Sequence, residues 1–316
     1  MTLLISAAVL ILGLALLVTA SGLLVKSSVK LAYLLKLSTL FIGLIFVAFG
    51  TSLPEAAVSI AAVIKGYKGI ALGNVVGSNI ANIGLVLGLC GLVRPLKVDS
   101  SLFKREIPIM LASVLALYLF ARDGLISRFE GGLFLFAFVL FCISSLRGSR
   151  SHQADEDFAL SGFLAKTRSK LLVLLVFSAS VFFLVLGANL MVNSGVKIAE
   201  HFSVSPWIIA ITVFAVGTSL PELAASLAAS AKKISSLSIG NVIGSNIFNV
   251  LLVLGIASLI RPIEVEAAVL RFELPLLIAF SLVAAIFMGI KNTISRFEAG
   301  MLLLFYCIFI VFLFLK

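Results

Sequence analysis

The hexapeptide Gly50-Thr51-Ser52-Leu53-Pro54-Glu55 returns without a change as Gly217-Thr218-Ser219-Leu220-Pro221-Glu222, 167 residues further on. A second stretch, Gly73-Asn74-Val75-Val76-Gly77-Ser78-Asn79-Ile80-Ala81-Asn82, returns in the same register as Gly240-Asn241-Val242-Ile243-Gly244-Ser245-Asn246-Ile247-Phe248-Asn249. Arg94-Pro95 matches Arg261-Pro262, and Glu106 with Pro108 matches Glu273 with Pro275, again 167 apart. Ser127-Arg128-Phe129-Glu130 recurs one residue out of step as Ser295-Arg296-Phe297-Glu298. The chain is therefore a duplication, and its period is far too long for a solenoid of stacked 20–50-residue repeats.

The medium around the repeat is lipid. Of 316 residues, 61% are hydrophobic and 12% charged, and the mean hydropathy is +1.24. Soluble domains carry about 45–50% apolar and about 25% charged residues, so disorder, a disulfide scaffold and an ordinary cytosolic enzyme are excluded. The net charge of +10 comes from bases lying between apolar runs, with no interleaved aromatics. It implies headgroup contacts rather than nucleic acid. Cys90, Cys142 and Cys307 stand singly in apolar runs and read as packing residues.

Apolar runs fall at 3–25, 38–64, 69–93, 107–121, 131–146, 171–193, 205–231, 234–260, 274–290 and 299–315. At about 20 residues per span, they predict an all-α integral membrane protein of ten helices, the first retained and not a cleaved signal peptide. Residues 1–146 and 171–316 form five-helix repeats joined by a short linker, 147–170. An odd number of spans per repeat inserts the second in the opposite sense, so the repeats are inverted. Equivalent residues then face one another near the bilayer midplane, as in secondary transporters. With both termini outside, 16 of the 24 Lys and Arg lie in cytoplasmic loops, which predicts a cytoplasmic linker in a cell-membrane protein.

Glu55 and Glu222 sit inside apolar runs, where a charge costs about 2.5 kcal/mol or more, and the second and seventh spans offer no internal base. Lys65 and Lys232 come only at their ends. The duplicated carboxylates point to ion binding. Pro54 and Pro221 lack an amide hydrogen and break their helices, and freed carbonyls at membrane depth must face protein or a cavity. Ala48, Gly50 and Thr51, with Ala215, Gly217 and Thr218, could offer such carbonyls. Hydroxyls of Thr51, Ser52, Thr218 and Ser219 lie beside the acids. Ser78 and Asn82 share one helix face, as do Ser245 and Asn249. Asn74, Asn79, Asn241 and Asn246 suit either interhelical hydrogen bonding or ligation. The spacings Gly73/Gly77, Gly84/Gly88 and Gly240/Gly244 read as close helix packing. An all-oxygen set without His or thiolate disfavours zinc, copper and iron. Two carboxylates neutralise one Ca2+, and Na+, of similar size, competes for the same oxygens.

At these motifs the chain resembles the cation/calcium antiporter superfamily, whose paired repeats carry GTSLPE-like and GNxxGSNxxN-like sequences, and it is similar to a prokaryotic sodium/calcium exchanger over all ten spans. The resemblance implies Na+/Ca2+ antiport by alternating access, with helices two and seven broken. It implies a calcium site of the Glu55 and Glu222 side chains with the Thr51 and Thr218 carbonyls. It implies flanking sodium sites of Ala48, Thr51, Ser52, Ser78 and Asn82, with Ala215, Thr218, Ser219, Ser245 and Asn249. It further implies that helices one and six form a gating pair sliding against the other eight. Where potassium-dependent members carry Asp, this chain has Asn249, which argues against potassium co-transport. The Thr-Ser-Leu-Pro before each Glu favours sodium over the proton-coupled branch, although a buried Glu can also exchange protons. H+/Ca2+ antiport is thus the alternative, with a cation channel behind it. An intramembrane protease is disfavoured because no Asp lies in a span and His152 and His201 are expected in loops. Neither an enzymatic activity nor a cofactor, nucleic acid or protein partner is implied. Ca2+ and Na+ are the expected substrates and the bilayer the expected surroundings.

Overall fold

A computed structural model describes residues 3–34, 48–148, 167, 169–231 and 235–315. Helix α1 (Leu3–Leu34) is followed by the one-turn helix α2 (Ala48–Thr51) and, after a turn at Ser52, by α3 (Leu53–Ile64). Helix α4 (Lys68–Val93) leads through strand β1 (Leu96–Lys97) to α5 (Glu106–Phe120), β2 (Leu125–Ile126) and α6 (Arg128–Gly148). The second half repeats the order with α7 (Lys170–His201), α8 (206–218), a turn at Ser219, α9 (Leu220–Ala231), α10 (235–260) and β3 (Ile263–Glu264). Helices α11 (Ala267–Arg271) and α12 (Glu273–Gly289), strand β4 (Thr293–Ile294) and α13 (Arg296–Leu315) complete it.

Eight helices among the described residues are long and apolar enough to cross a membrane. Two of the ten expected spans are not among these eight. Helix α5, of 15 residues, reaches only about 22 Å. The span expected over 38–64 is seen from 48 onward, and its first part lies outside the described residues, as do Lys36, His152, most of the linker, Lys232 and Lys233. Helices α1 and α7 are longer than the apolar runs suggested, 32 residues each, because polar turns continue the helix beyond the apolar stretch. Lys26 and Lys30 therefore lie on α1 and His201 closes α7, not in loops.

Packing divides the helices into two groups. Helices α4, α5, α6, α10, α12 and α13 enclose the larger core, in which the apolar stretches of α4 and α10 are 83% and 72% buried. Helices α1 and α7, with α3 and the start of α8, form a smaller core around Leu17, Val58, Met191 and Phe214. Helices α1 and α7 cross at Gly13 and Gly187, where a Cβ on either residue would come within 2.9 Å of the other's carbonyl oxygen. The smaller group is not symmetric. Helix α7 lies along α3, whereas α1 meets α9 only locally. Val58 is accordingly fully buried, while its counterpart Ala225 is half-buried and Ala224 is exposed. The Lys65 ammonium at the end of α3 donates to Asn193 Oδ1 of α7 over 2.8 Å.

Loops tie the halves together. Strand β1 pairs antiparallel with β4, Leu96 opposite Ile294, and β2 with β3, Ile126 opposite Ile263. The duplicated Ser-Arg-Phe-Glu is a capping box at the start of α6 and α13. Glu130 Oε2 accepts from Ser127 N, and Glu298 Oε2 from Ser295 N, both at 2.7 Å, while each Ser hydroxyl accepts from the Glu amide at 3.3 Å. Such a box satisfies two helix-end donors at once. Arg128 then donates to the Ile260 carbonyl ending α10, and Arg296 to the Leu92 and Val93 carbonyls ending α4.

Candidate functional site

The two motif turns meet at the centre. Ser52 and Ser219 stand between helix segments, and Pro54 and Pro221, near the start of α3 and α9, supply no amide to continue the preceding helix. Each turn brings its glutamate inward, and Glu55 and Glu222 are 0% exposed. Their partners are crossed. The Ser219 hydroxyl donates to Glu55 Oε1 and the Ser52 hydroxyl to Glu222 Oε1, both over 3.1 Å, and Ser245 adds a bond to Glu222 Oε1 at 3.3 Å. The second oxygen of each carboxylate, Oε2, is buried with no partner among the described residues. No ion pair involving either acid is seen among the described residues.

Around the acids, every polar side chain is buried. Asn74 Nδ2 donates to the Glu55 carbonyl (3.2 Å) and to Ser59 Oγ (3.0 Å), and Asn241 Nδ2 to the Glu222 carbonyl (3.4 Å) and Ser226 Oγ (3.1 Å). The oxygens of the same amides accept across the centre, Asn241 Oδ1 from the Thr51 hydroxyl (3.2 Å) and Asn74 Oδ1 from the Thr218 hydroxyl (3.4 Å). These two asparagines thus fix the glutamate backbones and the threonine hydroxyls by interhelical hydrogen bonds. Ser78 donates to the Ala215 carbonyl at 3.4 Å. That carbonyl also accepts the Ser219 amide at 3.1 Å, so Pro221 has not freed it. Ala48 opens α2, in the position equivalent to Ala215.

Asn82 and Asn249 each stand at the first residue of a π-helical stretch, Asn82–Leu87 in α4 and Asn249–Leu254 in α10. A π turn inserts an extra residue and is frequent at functional sites because it re-aims a side chain. A third such stretch, Ala210–Phe214, lies in α8. Nothing in the hydrophobic pattern signals these turns. Ser59 and Ser226, both fully buried, are also part of the cluster, and only their recurrence four residues after each glutamate marked them in the sequence. The close glycine packing holds for Gly73, Gly77, Gly84 and Gly88, whose added Cβ atoms would lie 3.0 Å or less from a neighbour. For Gly240 no atom of the described residues lies within 4 Å of an added Cβ, and Leu40, the equivalent of the Trp207 that covers Gly73, lies outside the described residues.

Two buried carboxylates, hydroxyls, amides and carbonyls form one all-oxygen cluster, and no grouping of three or more His, Cys, Asp or Glu exists among the described residues. Such a set suits hard cations. The chain matches the family described as Sodium/calcium exchanger protein over residues 5–147 and 172–315. It is 36% identical to the sodium/calcium exchanger MaX1 of Methanosarcina acetivorans, with 97% of each chain covered. It is 33% identical to the inner membrane protein YrbG of Escherichia coli, covering 90% of this chain and 88% of that one. Among solved structures, the sodium-calcium exchanger NCX_Mj superposes with a TM-score of 0.68 at 32% identity, covering 97% of both chains. The chain belongs to the sodium/calcium exchanger family and is a multi-pass membrane protein.

Proposed function

We propose that the protein is a secondary active antiporter, not an enzyme, exchanging Na+ for Ca2+ across the cell membrane by alternating access. The observation that carries this reading is the crossed hydrogen bonding of Ser52 to Glu222 and Ser219 to Glu55, which unites two fully buried acids in one cluster while an oxygen of each remains unpartnered. Two negative charges without a resident base are stable in the membrane when a cation occupies them. Ca2+ is held by the Glu55 and Glu222 carboxylates with the Thr51 and Thr218 carbonyls. Na+ takes flanking places at Ala48, Thr51, Ser52, Ser78 and Asn82 and at Ala215, Thr218, Ser219, Ser245 and Asn249.

In this reading the ten spans form two inverted repeats, 1–146 and 171–316, broken at the Pro54 and Pro221 turns. Both termini lie outside and the 147–170 linker inside. The crossed pairing of equivalent residues supports the inversion, since the Ser52–Glu222 and Thr51–Asn241 contacts have their mates in Ser219–Glu55 and Thr218–Asn74. The gating pair is α1 with α7. Occupancy by Ca2+ or by Na+ neutralises the acids and permits the movement, whereas the empty, charged site opposes it. The names of MaX1 and NCX_Mj, both sodium/calcium exchangers, support the same substrates.

The test is flux in sealed vesicles. An outward Na+ gradient drives uptake of radiolabelled Ca2+, and Glu55→Gln or Glu222→Gln abolishes it. Uptake that ignores Na+ and follows an imposed pH gradient assigns H+/Ca2+ exchange instead. Dependence on membrane potential in the same vesicles reads out the net charge moved.

A further inference from the structure

Four asparagines link the halves at the middle of α4 and α10, and all are 0% exposed. Asn79 Nδ2 donates to the Asn246 main-chain carbonyl at 3.3 Å, and Asn246 Nδ2 to the Asn79 carbonyl at 3.5 Å. Asn249 Nδ2 donates to Asn79 Oδ1 at 3.0 Å, and Asn82 Nδ2 to Asn246 Oδ1 at 3.1 Å. The oxygens of Asn82 and Asn249 are left buried and without a partner among the described residues.

The chemistry of this ring fixes which end of each amide points where. A main-chain carbonyl only accepts, so the Asn246 carbonyl requires the NH2 of Asn79. The oxygen of Asn79 then lies on the other side, where it requires the NH2 of Asn249. Asn249 is left presenting oxygen elsewhere. The same chain of requirements runs from the Asn79 carbonyl through Asn246 to Asn82. We infer that Asn79 and Asn246 are positioning residues that lock the amides of Asn249 and Asn82 with oxygen, not NH2, offered to the transported cation, each acting on the opposite half. An unlocked asparagine can rotate and present two donors, which a cation repels. The inference rests on the reading above that Asn82 and Asn249 are ion ligands.

The test is a double-mutant cycle on the full-length protein in vesicles, following Ca2+ uptake against NaCl concentration with choline chloride keeping ionic strength constant. Loss of a buried hydrogen bond of this kind shifts apparent affinity about tenfold. Asn79→Leu raises the half-saturating Na+ concentration by about that factor while retaining most of the rate at saturating Na+. Asn249→Ala raises the half-saturating Na+ concentration by at least that factor, and in the double variant that concentration is no higher than in Asn249→Ala alone. Additive losses in the double variant would overturn the positioning role of Asn79. An Asn249→Ala protein with unchanged Na+ dependence would overturn the ligand assignment itself, whatever Asn79 does. Thermal stabilisation of the purified protein by NaCl follows the same order and reports binding without transport. Should Asn79→Leu fail to fold, the mirror cycle of Asn246→Leu with Asn82→Ala decides the question by the same outcomes.

Discussion

Ser52 donates a hydrogen bond to Glu222, 170 positions away in the chain. The reverse contact, Ser219 to Glu55, has the same 3.1 Å length, so neither glutamate is held by the serine of its own Gly-Thr-Ser-Leu-Pro-Glu hexapeptide. Hydrogen bonds to a charged group are worth about 1.5–3 kcal/mol. Ser52→Ala and Ser219→Ala should each weaken half-saturating Ca2+ about ten- to hundredfold in vesicle uptake. Ser219→Ala should be the more severe, because Glu222 keeps Ser245 when Ser52 is lost. The opposite order would show that the crossed pairs do not set the affinity.

Glycine substitutions should separate the two halves. A Cβ on Gly77 would stand 2.4 Å from the Ile211 carbonyl oxygen, which is backbone and cannot yield, whereas one on Gly240 would meet no atom of the described residues within 4 Å. Overpacking costs about 1–3 kcal/mol, occasionally more. Gly77→Ala should lower the melting temperature in detergent by several degrees and reduce expression, with Gly240→Ala close to the parent. Equal melting temperatures would contradict the packing described.

The Lys65–Asn193 bond ties the end of α3 to α7. Both residues are exposed, so the bond contributes about 0.5–1.5 kcal/mol, or roughly two- to tenfold in the ratio of closed to separated arrangements. Spin labels at Ile64 and Lys197 should report a larger share of long distances after Asn193→Leu. An unchanged distance distribution would mean that packing alone holds these helices together.

Lys68 and Glu264 form an ion pair at 2.9 Å with the carboxylate 75% exposed. Exposed pairs contribute about 0–1 kcal/mol. Glu264→Ala should leave both Ca2+ uptake and melting temperature within error of the parent.

The duplication made the glutamates, the prolines and the equivalence of the halves legible from sequence, because a charge in an apolar run costs so much that its repetition demands a reason. Contacts were another matter. A spacing of 167 says that Asn79 and Asn246 are equivalent; it does not say that each bonds the other's neighbour. The π-helical turns that carry Asn82 and Asn249 left no trace, since an inserted residue changes hydrogen bonding without changing composition. Ser-Arg-Phe-Glu is visible as a repeat, but its purpose, a helix cap with an arginine bound to a neighbouring helix end, depends on tertiary contacts that the repeat does not encode. Helix length misled for α1 and α7, whose polar ends do not follow the apolar runs.

Helices α1 and α7 touch backbone to backbone at Gly13 and Gly187, yet only 22% and 28% of their most apolar stretches are covered by protein. Thirty-two residues make a rod about 48 Å long, against a hydrocarbon layer of about 30 Å. The polar turns at the rod ends continue beyond that layer, and most of what surrounds the apolar part between them is acyl chain. Any displacement of this pair is friction against lipid as much as repacking of protein, so chain length and fluidity of the bilayer enter the rate of turnover beside the ion concentrations.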